Sequence, residues 1–128
     1  MKKIKQLKKN ASTKKGVQLM DEIKQLIEKK DKIICKALNK RPVFLTKYLE
    51  STNGRRDQTR RKQVFFPGVE LIRGATTENI SENPQGIEIL GLTANGEKIG
   101  VHIREESDTH GNKRLYLIST FRGNQEER

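Results

Sequence analysis

Residues 99–104 read IGVHIR, an alternation of apolar and polar or small residues with a period of two. Successive side chains of a β-strand point to opposite faces of a sheet, so the pattern predicts a strand with one buried face. Ile99, Val101 and Ile103 would lie on that buried face. His102 and Arg104 would project together from the other one, which makes them the first candidates for a functional site.

The same period continues on both sides of this stretch. Residues 87–91 predict a preceding strand, and Asn95-Gly96 predicts a two-residue hairpin between the two strands. Residues 114–122 predict a third strand after a polar loop, with Thr120 and Arg122 on one face. The C-terminal part is therefore expected to be an antiparallel meander.

The N-terminal part has a helical period instead. Apolar residues spaced by three and four predict a helix over residues 17–38, with a break near residues 29–31. Residues 43–49 predict a helix or a strand leading into one. The expected fold class is α+β, with N-terminal helices packed on a C-terminal antiparallel meander of three or four strands. We expect a basic, flexible arm over residues 1–16, a single domain over residues 17–122 and a polar tail over residues 123–128.

The formal net charge is +11, and it is unevenly distributed. Residues 1–40 carry a net +9, residues 41–73 a net +5 and residues 74–128 a net −3. Clustered cations attract phosphate backbones, so the composition favours a nucleic-acid partner, RNA before DNA. A solubilising lysine-rich face is the alternative. A membrane surface is not expected, because the first forty residues lack Trp and Phe anchors.

Several other classes of site find no support in the sequence. The single cysteine, Cys35, lies in an apolar run and is expected to be a buried thiol in a reducing, cytoplasmic compartment. No His and Cys set has the spacing of a metal site, and no phosphate-binding loop or dinucleotide fingerprint is present, so neither metal nor cofactor is expected. No signal peptide is expected, and no apolar run is long enough to span a membrane.

The candidate catalytic residues are His102, Arg104, Thr120 and Arg122, provided that the strand register brings them to one face. An imidazole can transfer a proton near neutral pH, and a guanidinium can stabilise the charge that develops on phosphorus. Such a set suits metal-independent RNA cleavage by attack of the 2′-OH. The alternative is that His102 is an ordinary solvent-facing strand residue and that Arg104 pairs with a neighbouring glutamate.

The densest arginine cluster, at residues 55–62, is a candidate for binding rather than catalysis. Arginine forks onto phosphates and stacks on unpaired bases. A solvated helix face is the alternative. The expected nucleic-acid-binding residues are Lys47, Arg55, Arg56, Arg60, Arg61, Lys62 and Lys113.

One family resemblance is carried by residues 81–84, 86–89, 95–103 and 113–121, which read SENP, GIEI, NGEKIGVHI and KRLYLISTF. This succession resembles the end of the barnase–EndoU–colicin–RelE-like superfamily of toxin nucleases, including its phage-associated branch. The resemblance spans roughly residues 43–122. It implies a metal-independent endoribonuclease with helices before an antiparallel sheet, sometimes countered by an antitoxin or immunity protein.

Three functional hypotheses follow. The first is a toxin-type endoribonuclease that uses His102, Arg104, Thr120 and Arg122. The second is a non-enzymatic nucleic-acid-binding module. The third is a protein of phage or mobile-element origin that binds a host protein.

Overall fold

The computed structural model describes residues 4–123, and it combines helices and strands in one domain. The fold is therefore of the mixed α and β kind that the two periods predict. Four α-helices are described: α1 Gly16–Lys29, α2 Tyr48–Asn53, α3 Gln58–Lys62 and α4 Phe65–Gly74. The strands are β1 Lys5–Gln6, β2 Lys32–Cys35, β3 Arg41–Phe44, β4 Ile80–Asn83, β5 Gly86–Leu92, β6 Lys98–Ser107 and β7 Lys113–Arg122.

All seven strands belong to one sheet, in the order β1-β5-β6-β7-β3-β2, with β4 paired to β5 as well. The pairs β5–β6 and β6–β7 are antiparallel, as the alternation predicts. However, β1 runs parallel to β5 and β3 runs parallel to β7. The expected three- or four-stranded antiparallel meander is therefore too narrow a description, because the N-terminal half also contributes strands and makes the sheet mixed.

The break expected near residues 29–31 is the end of a helix and the start of a strand. Leu19 and Ile23 are buried along one stripe of α1, and the helix ends at Lys29. In β2 the burial then alternates, with Ile33 and Cys35 inside and Lys32 and Ile34 exposed. The prediction of a helix through residue 38 was wrong because the apolar run after Asp31 also fits a period of two. Cys35 is buried as expected, and burial raises the pKa of its thiol.

Helix α4 packs directly on β6 and β7, and Gly68 permits the close approach. A Cβ at this position would lie 2.8 Å from Cγ2 of Thr120 and 3.1 Å from Cγ1 of Val101. Pro67 is in the first turn of α4, where its missing N–H is tolerated. The face of the sheet that contacts α4 is called the inner face below, and the opposite one the outer face.

The N-terminal segment lies along this domain. Residues 4–15 include β1, and Leu7 is buried in the core. The backbone N–H groups of Lys8 and Lys9 both donate to the carboxylate of Glu70. The described part of the expected arm is therefore held by backbone contacts, while its lysine side chains provide the positive surface. Residues 1–3 of that arm and residues 124–128 of the expected tail fall outside the described residues.

Candidate nucleic-acid interface

A β-bulge in β7 separates the predicted catalytic residues. His102 pairs with Ser119, but Ile103 pairs with Leu117, so Ile118 is an extra residue in β7. An extra residue reverses the alternation beyond it. Thr120 pairs with Val101 on the inner face, while His102 and Arg104 lie on the outer face. The expectation that Thr120 and Arg122 share a face with His102 is corrected by this bulge.

Both displaced residues have structural partners instead. The Thr120 side chain is fully buried; its hydroxyl donates to the carbonyl of Arg61 at 2.6 Å and is 2.7 Å from the hydroxyl of Tyr48. The guanidinium of Arg122 binds the carboxylate of Glu97 at 2.5 Å and the side chain of Gln63 at 2.9 Å. Neither side chain is placed to contact a ligand held on the outer face.

The hairpin before β6 places a carboxylate beside His102. Its loop has three residues, with Thr93 paired to Glu97 and Gly96 at φ +88°, rather than the predicted two. The loop shifts the register by one residue, and Glu88 becomes the cross-strand partner of His102. Glu88, His102 and Ser119 thus form one row across three strands of the outer face.

His102 is half-buried on this face. A Cβ at Gly86 would lie 3.1 Å from Cε1 of the imidazole, so the ring lies against the turn that leads into β5. Burial lowers the pKa of His102, and the nearby positive charges of Arg104 and Arg55 act in the same direction. Glu88 and a hydrogen bond with the backbone of Gln85 oppose the shift. The net effect favours a neutral imidazole near pH 7.

A second row crosses the outer face next to the first, and it alternates cations with aromatic rings. Lys32 pairs with Phe44, Phe44 pairs with Tyr116, and Tyr116 pairs with Arg104. The row spans four strands, which is about 14 Å at the usual strand spacing. The ring centroids of Phe44 and Tyr116 are 5.9 Å apart. These four residues, Lys32, Phe44, Tyr116 and Arg104, are called the platform below.

Cations also lie over the two rings of the platform. The ammonium of Lys47 is 4.2 Å from the Tyr116 ring centroid, and the guanidinium of Arg114 is 4.8 Å from the Phe44 ring centroid. Lys32 lies 5.8 Å from the same Phe44 ring. These distances are within the range of cation–π attraction. The outer face thus concentrates aromatic and cationic groups, both of which single-stranded nucleic acids bind.

Most cations around the platform are nonetheless paired with carboxylates. Glu106 binds Lys47 and also lies 3.4 Å from Arg104. Arg114 lies 3.1 Å from Asp108. The hydrogen bond from Lys47 to Glu106 raises the pKa of Lys47 and lowers that of Glu106. The platform therefore offers the half-buried ring of Phe44, the Tyr116 ring at 6% exposure beneath Lys47, and flexible cations rather than a strong net positive field.

The arginine cluster at residues 55–62 divides into two parts. Arg55, Arg56 and Arg60 are exposed, as a binding role requires. Arg61 is buried at 8% exposure, and its Nε donates to Asp57 at 2.8 Å. Lys62 is buried at 5% exposure, and its Nζ donates to Gln58 at 2.9 Å.

Burial lowers the pKa of Lys62, and the nearby charge of Lys24 lowers it further. The predicted binding residues Arg61 and Lys62 are therefore corrected to interior residues. Of the remaining predicted cations, Lys113 is exposed at the start of β7 and Lys47 lies over the platform.

Sequence reasoning missed Phe44, Lys32 and Glu88 as outer-face residues, and it gave Tyr116 no role in binding. The alternation within β7 does place Tyr116 opposite Leu115 and Leu117. However, the strand assignment of residues 32–35 and 41–44 was needed to place Lys32 and Phe44 beside it. The face on which Glu88 lies depended on the length of the hairpin loop, since a two-residue loop would have moved Glu88 to the inner face.

Comparisons of the chain with models of protein families, with curated proteins and with solved structures found no match. Within residues 4–123, no helix combines the length and apolar character needed to cross a membrane. The same residues contain no group of three or more His, Cys, Asp or Glu side chains arranged to hold a metal ion. The outer face must therefore be interpreted from its own geometry.

Proposed function

We propose that this protein binds single-stranded nucleic acid, RNA in the first instance, on the outer face of its sheet. The observation that carries the proposal is the cross-strand row formed by Lys32, Phe44, Tyr116 and Arg104. Unpaired bases stack on aromatic side chains, and adjacent cations bind the phosphates that connect those bases. A duplex keeps its bases stacked internally and cannot use the rings in this way.

The cations over the rings belong to the same mechanism. Lys47 and Arg114 occupy ring faces in the free protein, and both have long, flexible side chains. A base that stacks on Phe44 would displace Arg114 from the ring. The guanidinium can then turn to a phosphate, and a charge-assisted hydrogen bond replaces the cation–π contact.

The proposal is tested by measuring the affinity of a fluorescently labelled single-stranded RNA by anisotropy, for the wild type and for Phe44→Ala. Loss of one stacking ring is expected to cost about 1–3 kcal/mol, which is roughly a 5- to 150-fold weaker complex. Phe66→Ala is the matched control. Phe66 is also a half-buried phenylalanine, but it lies on α4 rather than on the outer face.

The control is expected to bind RNA like the wild type. Equal affinities of Phe44→Ala and Phe66→Ala for RNA would overturn the platform as the binding site, as would tighter binding of double-stranded than of single-stranded RNA. Single-stranded DNA of the same sequence completes the series, and RNA is expected to bind more tightly.

A second candidate function, RNA cleavage, is favoured by one observation. Glu88 and His102 are direct cross-strand partners on the outer face, and Arg104 follows His102 on the same face. General acid–base catalysis needs two titratable groups near the reacting atoms. In this arrangement the Glu88 carboxylate would accept the proton of the 2′-OH, protonated His102 would donate to the leaving oxygen, and Arg104 would stabilise the phosphorane charge.

The test is to incubate RNA with the protein in EDTA and to separate the products by electrophoresis. Since the pKa of His102 is lowered, its acidic form increases below pH 6.5, and cleavage should be faster at about pH 5.5 than at about pH 7.5. His102→Gln should abolish cleavage and retain RNA affinity. An absence of fragments at both pH values would leave binding without chemistry.

A further inference from the structure

A cationic groove follows the edge of the sheet beyond the platform. It has a volume of about 510 Å³ and lies where α1 ends, β2 begins and α4 ends. The residues that line it are Lys29, Lys30, Asp31, Lys32, Ile33, Ile34, Lys36 and Arg73. Five of these eight side chains are cationic and one is anionic, so the lining has a net positive charge of four units at neutral pH.

Within the part of the chain that the structure describes, the cations of the groove have no carboxylate partners, unlike Lys47, Arg104 and Arg114. Within residues 4–123, none of the five has a carboxylate oxygen within 4.0 Å. The carboxyl ends of α1 and α4 contribute only about half a negative charge each. The full charges of the lining exceed this contribution, and they remain available to an anion that enters from solvent.

The groove and the platform are continuous through one residue. Lys32 lines the groove, and its ammonium also lies 5.8 Å from the Phe44 ring. β2 is the last strand in the order of the sheet, so the groove runs around this edge. Ile34 lies beside Lys32 in the same lining and is 47% exposed. An extended chain leaving the platform across β2 would enter the groove directly.

We propose that the groove binds the backbone phosphates of the strand whose bases stack on the platform. This inference rests on the proposed function, and it assigns base stacking and phosphate binding to two different places on the protein. The platform provides stacking, which is insensitive to salt, and a few phosphate contacts, whereas the groove provides most of the counterion release, which depends strongly on salt. The ligand class is a single-stranded nucleic acid long enough to reach from Arg104 to Arg73.

The experiment compares two triple variants with the same change of net charge. The groove variant is Lys29→Gln, Lys30→Gln and Lys36→Gln; it leaves Lys32 and its contact with Phe44 intact. The control variant is Lys8→Gln, Lys9→Gln and Lys15→Gln. These three exposed lysines do not line the groove. Lys15 immediately precedes α1, whose first residue is about 20 Å from its last residue, Lys29.

RNA affinity is measured by anisotropy over a salt series, with oligonucleotides of about 4 to about 16 nucleotides. Each phosphate contact contributes about 0.7 to the slope of log affinity against log salt for a single strand. The groove variant should therefore reduce the magnitude of the slope by about 2 relative to the control variant. It should also remove most of the gain in affinity between short and long oligonucleotides.

The outcomes separate this inference from the proposed function. If Phe44→Ala weakens binding but the two triple variants have equal salt slopes, the groove assignment is overturned and the platform remains. If Phe44→Ala and Phe66→Ala bind alike while the groove variant loses its salt slope, the platform is overturned and the cationic groove remains an anion site.

Inorganic tripolyphosphate is the last ligand to be tested as a competitor of RNA, because it offers phosphate without bases. It is expected to compete with RNA only weakly and to be displaced by moderate salt. Tight, stoichiometric binding of tripolyphosphate that survives moderate salt would overturn the assignment of the groove to a nucleic-acid backbone.

Discussion

The two faces of the sheet carry similar types of residue in opposite environments. On the inner face, Tyr48 and Thr120 are fully buried and hydrogen-bonded to each other, and the carbonyl of Arg61 accepts from both hydroxyls. On the outer face, the ring of Tyr116 lies under the ammonium of Lys47, and Phe44 is only half-buried. The hydroxyls of Tyr48 and Thr120 are satisfied within the fold, whereas the outer cations lie in partly exposed ion pairs and over rings, contacts that a ligand can replace.

This difference shows why residue type alone does not identify a site in this protein. A hydroxyl, a guanidinium and an aromatic ring occur on both faces. Burial of the inner set makes each partner indispensable, because an unsatisfied polar group in the interior has no water to replace it. The comparison predicts large stability effects on one face and small ones on the other.

The largest effect is expected from truncating the inner ring. Tyr48→Ala removes a fully buried side chain packed on Phe65 at 4.8 Å between ring centroids. The free energy of unfolding should fall by about 3–5 kcal/mol, as for other large aromatic truncations. Phe44→Ala on the outer face should cost about 1 kcal/mol. Urea denaturation followed by circular dichroism measures both, and equal losses would contradict the division between the faces.

A smaller effect is expected from removing one buried hydroxyl. Thr120→Val retains the shape of the side chain but deletes the donor to the Arg61 carbonyl and the partner of the Tyr48 hydroxyl. A loss of about 1–3 kcal/mol in unfolding free energy is expected. The control is Thr109→Val in the exposed loop between β6 and β7, which should change stability by less than about 0.5 kcal/mol. An unchanged free energy of unfolding in Thr120→Val would show that the inner hydroxyl network contributes no stability.

The smallest effect concerns pH and His102. Because the folded-state pKa lies below the ordinary value of 6.5, the unfolded chain binds more protons than the folded one in the window below pH 6.5. Titration of His102 therefore leaves the free energy of unfolding unchanged well above pH 6.5 and lowers it as the pH falls through that window.

His102→Gln should show a shallower loss of stability than the wild type between pH 7 and pH 5. Thermal unfolding at several pH values measures the difference. Parallel curves for the two proteins would mean that His102 titrates alike in the folded and unfolded states.

The three consecutive strands β5, β6 and β7 could be predicted from local patterning. The alternation in residues 99–104 identifies β6 and its buried face, and the strand of residues 114–122 was correctly placed. The local pattern is clearest in β6, where Ile99, Val101 and Ile103 are buried and Arg104 is exposed, whereas every residue of β7 from Leu115 to Phe121 is buried. The break near residues 29–31 was also predicted, although the strand that follows it was not.

The arrangement of the site required information that no local pattern contains. Whether Thr120 lies on the same face as His102 depends on the single extra residue Ile118. Whether Glu88 lies on that face depends on one residue in the hairpin loop. Lys32 and Phe44 reach the platform only because β3 pairs in parallel with β7, a contact between distant parts of the chain. Pairing over such distances is decided by the whole core.

The bulge at Ile118 has a consequence for how this protein can change. A shorter β7, lacking that one residue, would present the hydroxyl now bonded to Tyr48 and the guanidinium now bonded to Glu97 on the side of the imidazole. No point substitution achieves the same exchange, since it alters a side chain without rotating the backbone. A deletion of one codon is thus the smallest genetic event that would bring all four residues, His102, Arg104, Thr120 and Arg122, onto a common surface.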